Sequence, residues 1–244
     1  MKVALCQFNP VIGAIALNSR RILTFAEQAH AQKADLIIFP ELALCGYPLK
    51  DLVFLSDFTN ACEAGLIEIA QKSPIPVLIG APSFERYNAA YLCVDQKLEC
   101  VAKKRLLPNY QVFDEERYFI PGDNLNKNYF DFKNKRLGVS ICEDAWSEIV
   151  GYAENPIQDL VQKHQIDFLI NMTASPFELD KSEEREQMFC ELARRYQKPF
   201  LIAGQVGAND GVIFDGGSLA IDSNGQILWR AKSFEEDLWV LDAD

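Results

Sequence analysis

Three apolar runs in this 244-residue chain each deliver a reactive side chain at their carboxyl end. Asp35-Leu36-Ile37-Ile38-Phe39-Pro40 leads into Glu41, Leu98-Glu99-Cys100-Val101-Ala102-Lys103 into Lys104, and Leu137-Gly138-Val139-Ser140-Ile141 into Cys142. Open α/β sheets bind ligands at the carboxyl ends of their strands, so a carboxylate, an ammonium and a thiol could converge there. Such a set suits acyl transfer. Glu41 would take the thiol proton, Cys142 would attack a carbonyl carbon, and Lys104 would stabilise the oxyanion that forms. Positive charge beside the thiol would also lower its pKa.

Taken singly, each residue has a plainer role open to it. Glu41 could cap the turn after its strand, Lys104 could belong to a solvated Lys103-Lys104-Arg105 run, and Cys142 could be a buried structural thiol. Six other cysteines compete for the nucleophile's role, and Cys45, four residues past Glu41, is the strongest rival. The only histidines, His30 and His164, sit in polar, helix-like stretches where solvated side chains are expected. They cannot build a His-rich zinc centre and they disfavour a Cys-His pair, so no metal is expected and the base is a carboxylate or a lysine.

The elements that must position these groups are legible as periodic runs. Strands are predicted at Val3–Phe8, Asp35–Pro40, Pro76–Ala81, Ala89–Asp95, Leu98–Lys103, Arg136–Cys142, Asp167–Met172, Pro199–Gln205, Gly217–Asp222, Gln226–Arg230 and Asp237–Leu241. Helical spacing marks Ser19–Gln32, Phe58–Gln71, Ile157–His164 and Ser182–Tyr196. Strand–helix–strand units alternate with hairpins, one of them across Ser223-Asn224-Gly225. Two sheets packed face to face, with helices on the outer faces, would bury all these runs. The segment Pro108–Asn128 has no clear period, and its aromatic residues Tyr110, Phe113, Tyr118 and Phe119 predict an ordered lid on the body.

Length and composition set the frame. One α/β domain of this size buries a sizeable core without staples. Lys and Arg total 24 against 35 Asp and Glu, a net charge of −11, which disfavours a nucleic-acid partner. The amino-terminal residues show no long apolar stretch, so no secretory signal is expected, and no apolar run approaches the ~20 residues of a membrane span. Seven cysteines, an odd number without a Cys-x-x-Cys pair, point to free thiols in a reducing cytoplasm.

Longer strings around the three reactive residues resemble a known family. Phe39-Pro40-Glu41-Leu42-Ala43-Leu44-Cys45-Gly46-Tyr47-Pro48, Lys104-Arg105-Leu106-Leu107-Pro108-Asn109-Tyr110 and Gly138-Val139-Ser140-Ile141-Cys142-Glu143-Asp144 resemble the Glu, Lys and Cys signatures of the nitrilase (carbon–nitrogen hydrolase) superfamily, in that family's order. The resemblance covers essentially the whole chain. It implies a single-domain α/β fold, an α-β-β-α four-layer sandwich over residues 1–244, and thioester hydrolysis of an amide or nitrile C–N bond. Within the superfamily, Leu107-Pro108-Asn109-Tyr110-Gln111-Val112-Phe113 and Gln205-Val206-Gly207-Ala208-Asn209-Asp210-Gly211 are similar to segments of the glutaminase branch found in glutamine-dependent NAD+ synthetases.

Carried over residue by residue, the resemblance implies Cys142 as nucleophile, Glu41 as general base and Lys104 as oxyanion stabiliser. Glu115 matches a further acidic residue that orders the site. For L-glutamine, Tyr110 and Glu143 match positions at the α-amino end, and Ser175 and Lys181 match those holding the α-carboxylate, with Arg185 the next cation along. The ammonia would serve an ATP-dependent NAD+ synthetase module, fused or separate, and a homo-oligomer is expected. The chain has no pyrophosphate-cradling loop of that synthetase type; Asp215-Gly216-Gly217-Ser218 is the nearest string and is expected to be a turn. No synthetase domain and no cofactor are therefore expected in residues 1–244. A free-standing ω-amidase-like enzyme acting on a small carboxylated amide is the alternative, and a catalytically silent interaction subunit a further one.

Overall fold

Successive side chains of one strand enter different cores. In β1 (Lys2–Gln7), Val3 and Leu5 face one apolar cluster while Ala4 and Cys6 face another. β2 (Leu36–Ile38) divides in the same way, with Leu36 and Ile38 on one side and Ile37 on the other. Period-two alternation on a strand that is apolar throughout requires cover on both faces.

A computed structural model supplies that cover; it describes residues 1–123 and 127–243. Residues 124–126 of the expected lid and residue 244 of the expected domain lie outside the described residues. β3 (Val77–Pro82), β4 (Asn88–Val94) and β5 (Lys97–Lys103) complete the run begun by β1 and β2. β6 (Tyr129–Phe132), β7 (Lys135–Ile141), β8 (Phe168–Thr173) and β9 (Phe200–Gly204) open a second sheet. β10 (Val206–Asn209) and β11 (Val212–Asp215) form a separate ribbon, β12 (Leu219–Ile221) and β13 (Ile227–Arg230) rejoin the second sheet, and β14 (Asp237–Asp242) returns to the first.

Two six-stranded sheets result, ordered β14-β1-β2-β3-β4-β5 and β13-β12-β9-β8-β7-β6. β1, β2 and β3 run parallel at the centre of the first, and β7, β8 and β9 at the centre of the second. Between the sheets lies a core that includes Val3, Leu5, Ile38, Val139, Ile141, Ile170 and Leu201. Helices α1 (Ile15–Ala31) and α2 (Ser56–Lys72) cover the first sheet through Ile22, Ala26, Cys62, Leu66 and Ile69. Two very short helices, α3 (Glu115–Tyr118) and α4 (Ser147–Val150), sit in loops. α5 (Pro156–Lys163) and α6 (Lys181–Tyr196) cover the second sheet through Ile157, Leu160, Met188, Phe189 and Leu192. The four-layer α-β-β-α sandwich is the expected one. Each such aliphatic or aromatic side chain removed from water contributes about 1.5–3 kcal/mol.

Three strands were not legible. β6 is a four-residue edge strand, and β10 carries Gly207 and Ala208 where an alternating apolar pattern would announce a strand. The signal that marks the ribbon is Asp210-Gly211, a two-residue turn with Asp210 in the left-handed region. Asp215-Gly216-Gly217-Ser218, expected to be a turn, is a connection from β11 into β12 with both glycines at positive φ, and it leads into no helix. Within the described part of the 108–128 segment, Phe113 and Phe119 are buried and Tyr110 and Tyr118 pack on the body, as expected of an ordered lid. His30 is exposed, but His164 is half-buried, its ring 4.7 Å from that of Tyr129. The correction follows from β6, the unforeseen strand that brings Tyr129 alongside. All seven cysteines are unbridged.

Candidate active site

Glu41 lies just past the carboxyl end of parallel β2 and is 1% exposed. Its backbone passes so close to β3 that a Cβ on Gly80 would stand 2.2 Å from the Leu42 nitrogen. Only glycine leaves room there. Glu41 Oε1 accepts hydrogen bonds from Asn88 Nδ2 and Lys104 Nζ, each at 2.7 Å, and Oε2 accepts the Ala174 N–H at 3.0 Å. Lys104 directly follows antiparallel β5, and its own N–H donates to the Asn88 carbonyl at 2.8 Å. Lys104 Nζ also donates to Glu115 Oε1 at 2.7 Å, and the Tyr47 hydroxyl donates to that same oxygen at 2.8 Å.

One ammonium thus sits between two carboxylates, all three side chains buried. Burial alone would depress Lys104, but Glu115 and Glu41 outweigh it and hold the ammonium well above its ordinary pKa. Glu115 shows the reverse balance: burial and the Glu41 charge push it up to about 7, against the opposing pull of Lys104 and Tyr47. Near neutral pH this carboxyl can hold a proton, which leaves the Glu41–Lys104 pair close to neutral overall.

Cys142 opens a 3₁₀ turn immediately after β7 and takes a strained φ of 43°. Such strain costs about 1–3 kcal/mol and concentrates at reactive positions. The parallel register of β7 and β8 sets Ile141 opposite Met172, which brings Thr173 beside Cys142; the Thr173 hydroxyl donates to Sγ at 3.2 Å. Asp144, fully buried, accepts the N–H groups of Arg105 and Leu106 on Oδ1, each at 2.9 Å, and that of Ile141 on Oδ2 at 3.0 Å. One carboxylate therefore ties the segment after Lys104 to the residue before Cys142. Burial and the Glu41 charge push the Cys142 thiol up, with Lys104 opposing, so the resting sulfur is protonated and needs a base. Cys45, the rival, is buried in the apolar cluster beneath α1 and α2, and burial pushes its thiol well up beside Cys62.

The Cys142 side opens into a cavity of about 210 Å³, lined also by Tyr110, Glu143, Trp146, Ser175, Glu178, Lys181 and Glu184. That is below the ~300–1,000 Å³ of drug-sized sites and fits a small molecule. All four residues expected at the ends of a substrate, Tyr110, Glu143, Ser175 and Lys181, line it with Cys142. Glu41, Lys104 and Glu115 form the buried cluster behind. Glu143 accepts from the hydroxyls of Tyr110 at 2.9 Å and Tyr152 at 3.0 Å, while Lys181 Nζ lies 3.5 Å from Glu178 Oε1 and 5.9 Å from the centre of the Trp146 ring. Arg185, the alternative cation, is unavailable: it is buried and clamped on both oxygens of Asp215, at 3.1 and 2.7 Å. The pocket lining holds the carboxylates of Glu143, Glu178 and Glu184 and the ammonium of Lys181 together with Cys142.

A family model described as carbon-nitrogen hydrolase matches residues 2–244. The chain belongs to the carbon–nitrogen hydrolase family. The glutamine-dependent NAD(+) synthetase of Synechocystis sp. is 40% identical over 259 residues, spanning 99% of this chain and 46% of that one. A solved glutamine-dependent NAD+ synthetase from Acinetobacter baumannii superposes with a TM-score of 0.89 at 37% identity, over 98% of this chain and 44% of that one. An amidase from Nesterenkonia sp. shares the fold, with a TM-score of 0.83 at 23% identity over 99% and 89% of the two chains. The chain thus spans under half the length of the synthetases it matches. Among the described residues, no helix is long and apolar enough to cross a membrane.

Sequence reasoning missed Asn88, Tyr47, Thr173 and Tyr152 as partners of the site. Asn88 opens β4 and Thr173 closes β8, and a buried polar residue at the end of an apolar run is the signal that could have marked these two. Tyr152 follows a glycine in a polar loop and carries no local signal.

Proposed function

We propose that this chain hydrolyses the side-chain amide of L-glutamine through a thioester on Cys142 and releases ammonia. The observation that carries the reading is the cavity: Glu143, bonded by Tyr110, and Lys181 with Ser175 line it together with Cys142, a set that complements an amino acid's ammonium and carboxylate around a thiol.

Glu41 is the base. A carboxylate has about four lone-pair sites, and Glu41 uses two on Oε1 and one on Oε2, so Oε2 retains one for the thiol proton. As that proton moves, Sγ attacks the amide carbon and the carbonyl oxygen becomes an oxyanion. Lys104 has three N–H donors, of which Glu41 and Glu115 take two; the third stabilises the oxyanion. The tetrahedral intermediate collapses as protonated Glu41 gives its proton to the leaving nitrogen, which departs as ammonia and leaves the acyl thioester. Glu41 then deprotonates a water that attacks the thioester, and the departing thiolate recovers the proton. Product glutamate leaves, and the cycle uses only protein groups and water, with no cofactor.

An ω-amidase reading differs at one end of the substrate. An α-keto amide has no ammonium, so it would leave Glu143 facing a carbonyl, and unpaired buried polar groups discriminate strongly against such a ligand. Relatives of about twice this length are named as synthetases, which supports delivery of the ammonia to an ATP-dependent module that amidates deamido-NAD+, fused or separate. Seven unbridged cysteines suit work in a reducing cytoplasm. Comparing kcat/KM for L-glutamine and α-ketoglutaramate tests the reading. Glutamine is expected to be preferred; a preference for α-ketoglutaramate by orders of magnitude transfers the assignment to ω-amidase.

A further inference from the structure

Two phenol hydroxyls converge on one oxygen of one carboxylate. Tyr110 and Tyr152 both donate to Glu143 Oε1, at 2.9 and 3.0 Å. Among the described residues no donor reaches Oε2, although Glu143 is buried and lines the cavity beside Cys142. The final torsion of a glutamate side chain is broad and soft, so a carboxylate held by a single bond can rotate through a wide arc. A second donor on the same oxygen, arriving from a different element, removes that freedom and leaves the other oxygen turned to the ligand.

The second donor is held firmly in place. Gly151 ends α4 in the left-handed region, at φ 86°, which folds the chain back so that the N–H groups of both Gly151 and Tyr152 donate to the Ser147 carbonyl at 2.9 and 3.0 Å. Ser147 Oγ donates to the Glu154 carbonyl at 2.6 Å, and the buried guanidinium of Arg105 binds the Glu154 side chain at 2.5 Å. Tyr152 is thus held on one side by the Gly151 turn on Ser147 and on the other by Glu154, which Arg105 anchors. Burial and the Glu143 charge push its phenol up, so the hydroxyl keeps its proton and stays a donor.

We infer that Tyr152 is a positioning residue for substrate selection: with Tyr110 it locks Glu143 so that Oε2 receives an α-ammonium, restricting the site to amides of α-amino acids. The inference rests on the glutaminase reading and adds a residue and a selection rule to it. Tyr152 touches the substrate only through Glu143.

The test uses L-glutamine and glutaramate, the same amide acid without the α-amino group, as alternative substrate or competitive inhibitor. In Tyr152→Phe the KM for glutamine is expected to rise roughly tenfold, the scale of one hydrogen bond to a charged group, with kcat within about twofold. The KM or Ki for glutaramate should stay within about twofold. The ratio of the two constants does not depend on the fraction of protein folded, so partial unfolding cannot mimic the result. Glu143→Gln is run beside it. If Glu143→Gln leaves the glutamine-to-glutaramate ratio unchanged, the glutaminase reading of this end of the pocket fails. If Glu143→Gln collapses the ratio and Tyr152→Phe does not, or if Tyr152→Phe weakens both ligands equally, the role given to Tyr152 is overturned.

Discussion

Lys104 Nζ and Glu41 Oε1 stand 2.7 Å apart although 63 residues separate them, and neither side chain reaches solvent. Charges are tolerated at such depth because each is paired and hydrogen-bonded. Removing one partner of a buried pair leaves an uncompensated ion and costs about 3–5 kcal/mol. Lys104→Met should therefore lower the unfolding free energy by about that amount in urea titration. Glu41→Gln should cost less, because Lys104 keeps its bond to Glu115. Equal losses in the two variants would contradict this account of the cluster.

Cys142 and Cys45 are both buried thiols near the Glu41 segment, yet only Cys142 opens onto the cavity. Cys142→Ala should abolish turnover and covalent trapping of a glutamine-derived acyl group, read by mass spectrometry of the intact protein. Cys45→Ala should retain both. A trapped adduct in Cys142→Ala would move the nucleophile elsewhere.

Lys181 lines the cavity while Arg185 is committed to Asp215, so the proposed reading gives the substrate carboxylate to Lys181. Lys181→Met should lower kcat/KM for glutamine by about 1.5–3 kcal/mol, the range for a charge-assisted hydrogen bond, chiefly through KM. Steady-state kinetics decide it; an unchanged kcat/KM removes Lys181 from recognition.

Glu115 links the cluster to pH. Its folded carboxyl is raised from the ordinary 4.5 to about 7, so between those values the folded state binds more protons than the unfolded state. Stability from this group is present at low pH and is lost as pH rises through that window. Relative to Glu115→Gln, the wild-type protein should lose Tm as pH rises from 4.5 to about 7, the range set by those two pKa values. Melting curves of the two proteins across this range provide the comparison, and parallel pH profiles would refute the shift.

Gly80 controls where Glu41 sits. A methyl group there would meet the Leu42 backbone nitrogen at 2.2 Å, and backbone cannot step aside as a flexible side chain can. Gly80→Ala should push Glu41 off its position, and displacements near 1 Å can cost roughly 10²-fold in rate. The loss should fall on kcat, with the cavity ends and hence substrate binding little altered. A variant with wild-type kcat would show that the β3 contact does not position the base.

Much of this molecule was open to reading along the chain. Strand alternation and helical spacing are local properties, fixed by backbone sterics and by which side chains avoid water, so the two covered sheets and their helices followed from them. Glu41, Lys104 and Cys142 stood out because each ends an apolar run, where a strand stops and a side chain is free to meet a ligand. β6 and the β10–β11 ribbon escaped because short edge strands with small or polar residues carry little alternation.

What the tertiary structure alone decided was partnership. Its place at the end of an apolar run marked Cys142 but left Cys45 a rival; what separates them is that Cys142 lines the cavity while Cys45 packs beneath the helices. Arg185 and Lys181 lie one turn apart on α6, yet one is locked on Asp215 and the other lines the cavity. Asn88, Tyr47, Thr173 and Tyr152 gained their roles only when remote segments met. Hydrogen bonds and buried charges act over a few ångströms in space, whatever their separation in sequence, so their energies become defined only once the fold has set those distances.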